Sequence, residues 1–129
     1  MDRSTVDIRK TVRGSLPRIP FGELARTILG SRYELSLVIC GDMLARKMNA
    51  VYRKKTYAPN VLSFPLEKHE GEIFLNMRKA AREAKQYKTT LSTRLGLLFV
   101  HGCFHLKGLR HGRTMERAER RVLKRFGLL

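Results

Sequence analysis

The chain is 129 residues long, which fits one domain built round one hydrophobic core. Lys and Arg outnumber Asp and Glu by 27 to 11, and the resulting +16 calls for a polyanionic partner or a strongly solvated surface. Apolar residues make up 43%, too many for wholesale disorder, and no apolar run reaches the ~18–20 residues of a membrane span.

The start, Met1-Asp2-Arg3-Ser4, has no apolar leader, so a cytoplasmic chain with no membrane association is expected. Cys40 and Cys103 then read as free thiols used as small core residues. The cations are spread along the chain, with three clusters at Arg46 to Lys55, Arg78 to Lys88 and Lys107 to Arg125. Spread of this kind suits a folded surface that contacts RNA, where Lys and Arg gain by releasing condensed counterions. No segment sets a basic face against a clean apolar one, which disfavours a membrane surface.

In chain order, Val6-Asp7-Ile8 suggests a first strand. Phe21, Leu24, Ala25 and Ile28 recur at helical spacing after Pro20 and stop at Gly30. Tyr33 to Cys40 reads as a strand. Asp42 is expected to cap the next helix, with Leu44, Met48, Val51 and Tyr52 on one face. Pro59 opens a short strand, Val61 to Pro65, and a turn at Glu70-Gly71 leads into Ile73-Phe74-Leu75. Asn76 is placed to cap a helix carrying Met77, Ala80, Ala81 and Ala84. The segment Thr90 to Lys107 is apolar on most of its helical circumference, the mark of a helix buried in the middle of a domain, and Gly108 is placed to end it. Met115, Ala118, Val122 and Phe126 line a last helix. The expectation is an α+β (mixed α/β) fold: a single compact domain over residues 1–129 with about four strands in a mixed sheet and four to five helices.

Three of the four histidines fall within eleven residues, His101, His105 and His111. The first two are one helical turn apart on one face and can offer two imidazole nitrogens to one ion. Gly108 permits a left-handed turn that swings His111 back toward the same ion. Three neutral imidazoles leave a fourth tetrahedral position open, the plan of a catalytic zinc site, although nickel, copper and iron also accept such ligands. His69 stands apart and reads as a surface or loop residue. The spacing matches that of zinc endopeptidases, giving a zincin-like three-histidine site on the central helix. The residue after the first histidine is Gly102 where those enzymes carry a glutamate base, which argues against proteolysis. A nucleobase deaminase would need H-x-E and P-C-x-x-C, and neither is present.

His101-Gly102-x-x-His105-Leu106-x-Gly108-x-x-His111 resembles the signature of the YbeY family, bacterial endoribonucleases and rRNA maturation factors. Asn49-x-x-Tyr52-Arg53-x-Lys55, Asn60-Val61-Leu62-Ser63-Phe64-Pro65 and Gly71-Glu72-Ile73 are similar to further family blocks in the same order. The chain departs from the family at Leu109-Arg110, where members commonly have Tyr-Asp, at Ala58-Pro59 in place of Pro-Thr, and in a short segment between Pro65 and Gly71. Loss of the Asp removes an acceptor expected behind the metal ligands. The resemblance implies one zinc ion per chain held by His101, His105 and His111, with Arg53 lining the cleft. It implies a zinc-dependent, single-strand-specific endoribonuclease acting in rRNA processing at the 16S 3′ end and in ribosome quality control. RNA of ribosomal particles, with their proteins, would be the partner.

The resemblance points to His101 and Arg53 as the catalytic residues and to Arg53 and Lys55 as phosphate contacts, and a guanidinium suits that role because it holds a phosphate at two points. Arg94 lies seven residues before His101, on the same stripe. Ser63 reads as a local hydrogen-bonding residue rather than a nucleophile. No carboxylate is placed as an obvious base, so attack by activated water and attack by a ribose hydroxyl both stay open. A non-catalytic RNA-binding assembly factor with a structural zinc shares the same surface and fold.

Overall fold

The computed structural model describes residues 5–129, so the leader reading at Met1–Ser4 falls outside it. Strand β1 (Thr5–Lys10) is followed by helix α1 (Phe21–Leu29), β2 (Glu34–Cys40), α2 (Asp42–Arg53), β3 (Val61–Glu67) and β4 (Glu70–Asn76). Three helices complete the chain: α3 (Met77–Gln86), α4 (Leu91–Leu106) and α5 (Arg113–Arg125). The sheet order is β1-β2-β4-β3, with β1, β2 and β4 parallel and β3 antiparallel to β4. The expected mixed α+β domain is thus observed, with five helices among the described residues.

β2 and β4 are the inner strands, and their side chains alternate between two cores, as the two-residue period of a strand requires. Leu35, Leu37, Ile39, Ile73 and Leu75 face the larger core, shared with α1, α3, α4 and α5. Val38, Cys40 and Phe74 face a smaller core closed by Ala45 of α2 and Leu62 of β3. Helix α4 runs through the larger core, burying Leu95, Leu98, Phe99, Val100, Cys103 and Phe104. Each large side chain of that set contributes roughly 1.5–3 kcal/mol, which anchors the helix that carries His101 and His105. β3 is an edge strand, which explains how Pro65 is accommodated without loss of a needed donor. Both cysteines are free and buried.

Several local expectations are corrected. Asp42 does not cap α2: Gly41 occupies the cap position without a side-chain bond, and the Asp42 carboxylate instead meets Asn76 and Arg82. Val51 and Tyr52 do not belong to the buried face of α2, being 62% and 64% exposed, because the smaller core has room only for Ala45, Asn49 and the partly buried Leu44 and Met48. The β3–β4 turn sits at Lys68-His69, not Glu70-Gly71. Gly71 is needed inside β4, where an added Cβ would meet the Tyr33 hydroxyl at 2.3 Å and Leu106 at 3.0 Å. Asn76 does cap α3 as expected, its side chain accepting from Lys79 N–H at 3.1 Å.

Candidate metal centre and cleft

α4 starts at a Thr90 cap that accepts from Thr93 N–H at 3.0 Å and ends where Gly108 takes φ 101°. That turn reverses the chain and returns His111 to the end of the helix. One ring nitrogen from each of His101, His105 and His111 lies within 4.8 Å of the others. His101 and His105 are half-buried and His111 is exposed.

The hydrogen bonds behind the rings decide what their front nitrogens offer. His101 Nδ1 lies 2.6 Å from Glu119 Oε2, and His105 Nδ1 lies 3.2 Å from the Leu109 carbonyl. Both partners accept, so each Nδ1 carries its hydrogen and each Nε2 presents a lone pair in the neutral ring. Those two Nε2 atoms are 3.1 Å apart. Two lone pairs at that distance repel, and a shared cation relieves the repulsion. Two ligands each ~2.0–2.1 Å from one tetrahedral ion stand about 3.3–3.4 Å apart. The donor set therefore fits a metal ion. Burial, then the neighbouring His101 and His111, holds the conjugate acid of His105 below its ordinary range, which keeps that ring neutral and available.

Gly102 has a steric reason. A Cβ there would lie 3.0 Å from Ser63 Oγ, 3.2 Å from Ile73 Cδ1 and 3.3 Å from Val61 Cγ2, so any side chain at this position crowds the approach of α4 to the sheet. Ser63 Oγ donates to the Gly102 carbonyl at 3.0 Å. Its hydroxyl joins strand to helix, in keeping with the local role expected of it.

The histidines lie at one side of a cleft of about 960 Å³. Arg53, Lys79 and Arg94 supply its cations, Tyr52, Tyr57 and Phe64 its aromatic surface, and among the described residues no carboxylate lines it. Arg53 is the last residue of α2. The left-handed Lys54 (φ 56°) turns the chain there, and Lys55 N–H closes on the Asn49 carbonyl at 3.2 Å. Lys55 is exposed and lies outside the cleft lining. The following loop is held by three successive carbonyls: Asn49 Nδ2 donates to Tyr57, Lys79 Nζ to Ala58 and Asn76 Nδ2 to Pro59, at 3.0, 2.8 and 3.1 Å. Arg94 faces the cleft with its Nε bonded to Glu83 at 3.0 Å and its guanidinium 4.9 Å from the Tyr87 ring centre.

Sequence reasoning missed Glu119 and Glu83. Both are brought in by packing between helices, and no short motif marks them. Arg110, which replaces the family's usual Asp, is exposed, and the acceptors behind the ligands are Glu119 and the Leu109 carbonyl instead.

Fold and site together define an α+β domain with a three-histidine set able to hold a metal ion beside a cationic cleft. The family model described as Endoribonuclease YbeY matches residues 7–127. Endoribonuclease YbeY of Alkaliphilus metalliredigens is 34% identical over 113 residues, covering 75% of this chain and 73% of that protein. The protein of the same name from Alkaliphilus oremlandii is 37% identical over 112 residues, covering 75% and 74%. A Thermotoga maritima protein solved in solution shares the fold, with a TM-score of 0.69 at 19% identity over 93% of this chain and 87% of that one. The chain belongs to the YbeY endoribonuclease family.

Proposed function

We propose that residues 1–129 form one metal-dependent hydrolase domain that cleaves single-stranded RNA, with one zinc ion held by His101, His105 and His111. The observation that carries this reading is the pair of Nε2 atoms 3.1 Å apart at the edge of an arginine-lined cleft. The biological setting we infer is cytoplasmic rRNA processing, at the 16S 3′ end, and ribosome quality control. Family membership and the +16 charge support that setting.

Zinc bound there supplies a Lewis acid for a phosphoryl oxygen and brings the pKa of water toward ~7. The protein's own groups do the rest. Arg53, mounted on a rigid helix end, grips the non-bridging oxygens of the scissile phosphate in two-point geometry and stabilises charge that builds on them. Arg94, tethered through Nε to Glu83, keeps its terminal amino groups toward the cleft for a neighbouring phosphate. Tyr52, Tyr57 and Phe64 offer faces on which unstacked bases can lie, which favours a single strand over a duplex. Lys55, beyond the rim, is assigned a backbone contact outside the cleft. The two carboxylates close to the site, Glu119 and Glu83, are spent on orienting His101 and Arg94.

An open three-ligand site at the mouth of a cleft supports catalysis over a purely structural zinc, which is normally closed by four protein ligands. Chelation tests the choice. The proposal expects RNA cleavage to stop while the thermal midpoint falls only modestly. Loss of the cooperative unfolding transition on chelation would instead assign the ion a structural role.

A further inference from the structure

Outside the cleft, a dense run of like charge lies on the outer face of α5. Arg113, Arg117, Arg120, Arg121 and Lys124 are all exposed. At 100° per residue they share an arc of about 100°, opposite the buried Met115 and Val122. Among the described residues none of the five pairs with a carboxylate. Glu119 is turned to His101, which leaves Glu116 as the lone acid beside the stripe, in a shallow dent with Arg113, Arg117 and Arg120. The stripe contains like-charge pairs four residues apart, such as Arg113/Arg117 and Arg120/Lys124. Such like-charge pairs destabilise a helix. The buried face of α5 holds the helix in place against this repulsion, and a polyanion laid along the outer face would relieve it.

The chemistry selects the polyanion. A membrane-lying helix presents apolar residues beside its cations, but the apolar face of α5 is already in the core. Four of the five cations are arginines, whose planar fork matches phosphate oxygens at two points. The stripe begins two residues after His111 and extends about 16 Å at 1.5 Å per residue, about five phosphate steps at 3.4 Å along one strand. We infer that the outer face of α5 is a docking rail for the phosphate backbone of RNA flanking the segment in the cleft. The inference rests on the RNA-cleaving reading for its geometry, since it makes cleft and rail two parts of one RNA path.

The test compares a short nuclease-resistant 2′-O-methyl RNA that fills only the cleft with the same RNA extended at either end. Affinities of the full-length protein are measured across a range of KCl concentrations. The wild type should bind the extended RNA about tenfold or more tighter than the short one. The variant Arg117→Gln/Arg120→Gln/Lys124→Gln should lose that advantage, and its salt slope should fall by about 2, at roughly 0.7 per single-strand contact. The charge-conserving Arg117→Lys/Arg120→Lys should keep most of the advantage. An unchanged ratio of extended to short affinity and an unchanged slope in the Gln variant would overturn the rail. So would selective loss of binding to polyglutamate, which would assign the face to an acidic protein. If the wild type cuts no unmodified RNA while the Gln variant still loses the length advantage, the nuclease reading fails and the rail stands.

Discussion

Glu119 and His101 meet at 2.6 Å, carboxylate oxygen to Nδ1, across the packing of α5 on α4. This contact orients the ring of His101 and leaves Nε2 as the nitrogen available to a metal ion. Partners of this kind commonly change metal affinity or activity by 10–100-fold when lost. Glu119→Ala is therefore expected to weaken zinc binding by about that factor in competition with a chromophoric chelator, while Glu119→Gln, which can still accept, loses less. Equal zinc affinity in wild type and Glu119→Ala would show that the contact only supports packing.

Gly102 predicts a stability effect. Introducing Glu, the residue of the zinc endopeptidase pattern, drives a side chain into Ser63, Ile73 and Val61 at contacts of 3.0–3.3 Å. Overpacking of this kind costs about 1–3 kcal/mol, and burial of a charge adds to it. Gly102→Glu should unfold at clearly lower urea than the wild type. Gly102→Ala should come out closer to neutral, because its helix-propensity gain of about 1 kcal/mol offsets part of the crowding.

The Asp42 carboxylate is held near pKa 2, first by the Arg82 hydrogen bonds at 2.8 and 2.9 Å and then by the bond from Asn76 at 3.0 Å. An unfolded Asp titrates near ~3.9. The stabilisation is therefore fully present above about pH 4 and is lost as pH falls through about 2. Urea midpoints measured between pH 7 and pH 2 should show a decline in the wild type over that window that is reduced in Asp42→Asn. Parallel curves for the two proteins would contradict the assignment.

Arg94 separates binding from folding. Its ion pair with Glu83 is largely buried, with side-chain exposures of 19% and 15%. Removing one partner of such a pair costs on the order of 3–5 kcal/mol when the other is left uncompensated. Here Asn60 also bonds Glu83, at 3.2 and 3.3 Å, so Arg94→Ala should lose less than that. Arg94→Lys keeps the charge and should fold normally, yet it loses the planar fork. It is expected to raise the KM for RNA several-fold with kcat little changed.

Much of this was legible in the primary structure, because the deciding interactions were local. Asn76 caps α3 through a bond to a residue three further on, and His101 and His105 share a face by helical period alone. Asp42 looked like a cap for the same reason as Asn76, but its partners lie 34 and 40 residues away. Tyr52 fits the apolar period of α2 but stays exposed, its ring resting 5.3 Å from that of Phe64 over a core too small to enclose it. Gly71 carries turn chemistry in isolation, yet Tyr33 and Leu106 demand a glycine inside the strand, so the turn before β4 lies two residues earlier than local sequence suggests. Periodicity puts Glu119 at the margin of the apolar face of α5, but only the docking of α5 against α4 shows that it reaches His101.

The central claim is that the three-histidine site cuts RNA. Its most direct test is cleavage of an end-labelled single-stranded RNA by the purified protein, beside His105→Ala purified identically. The account predicts that the wild type cuts, that a chelator stops it, that added zinc restores it, and that His105→Ala is inactive while still binding the RNA. Equal cleavage by both proteins, or none by the zinc-loaded wild type, would contradict it.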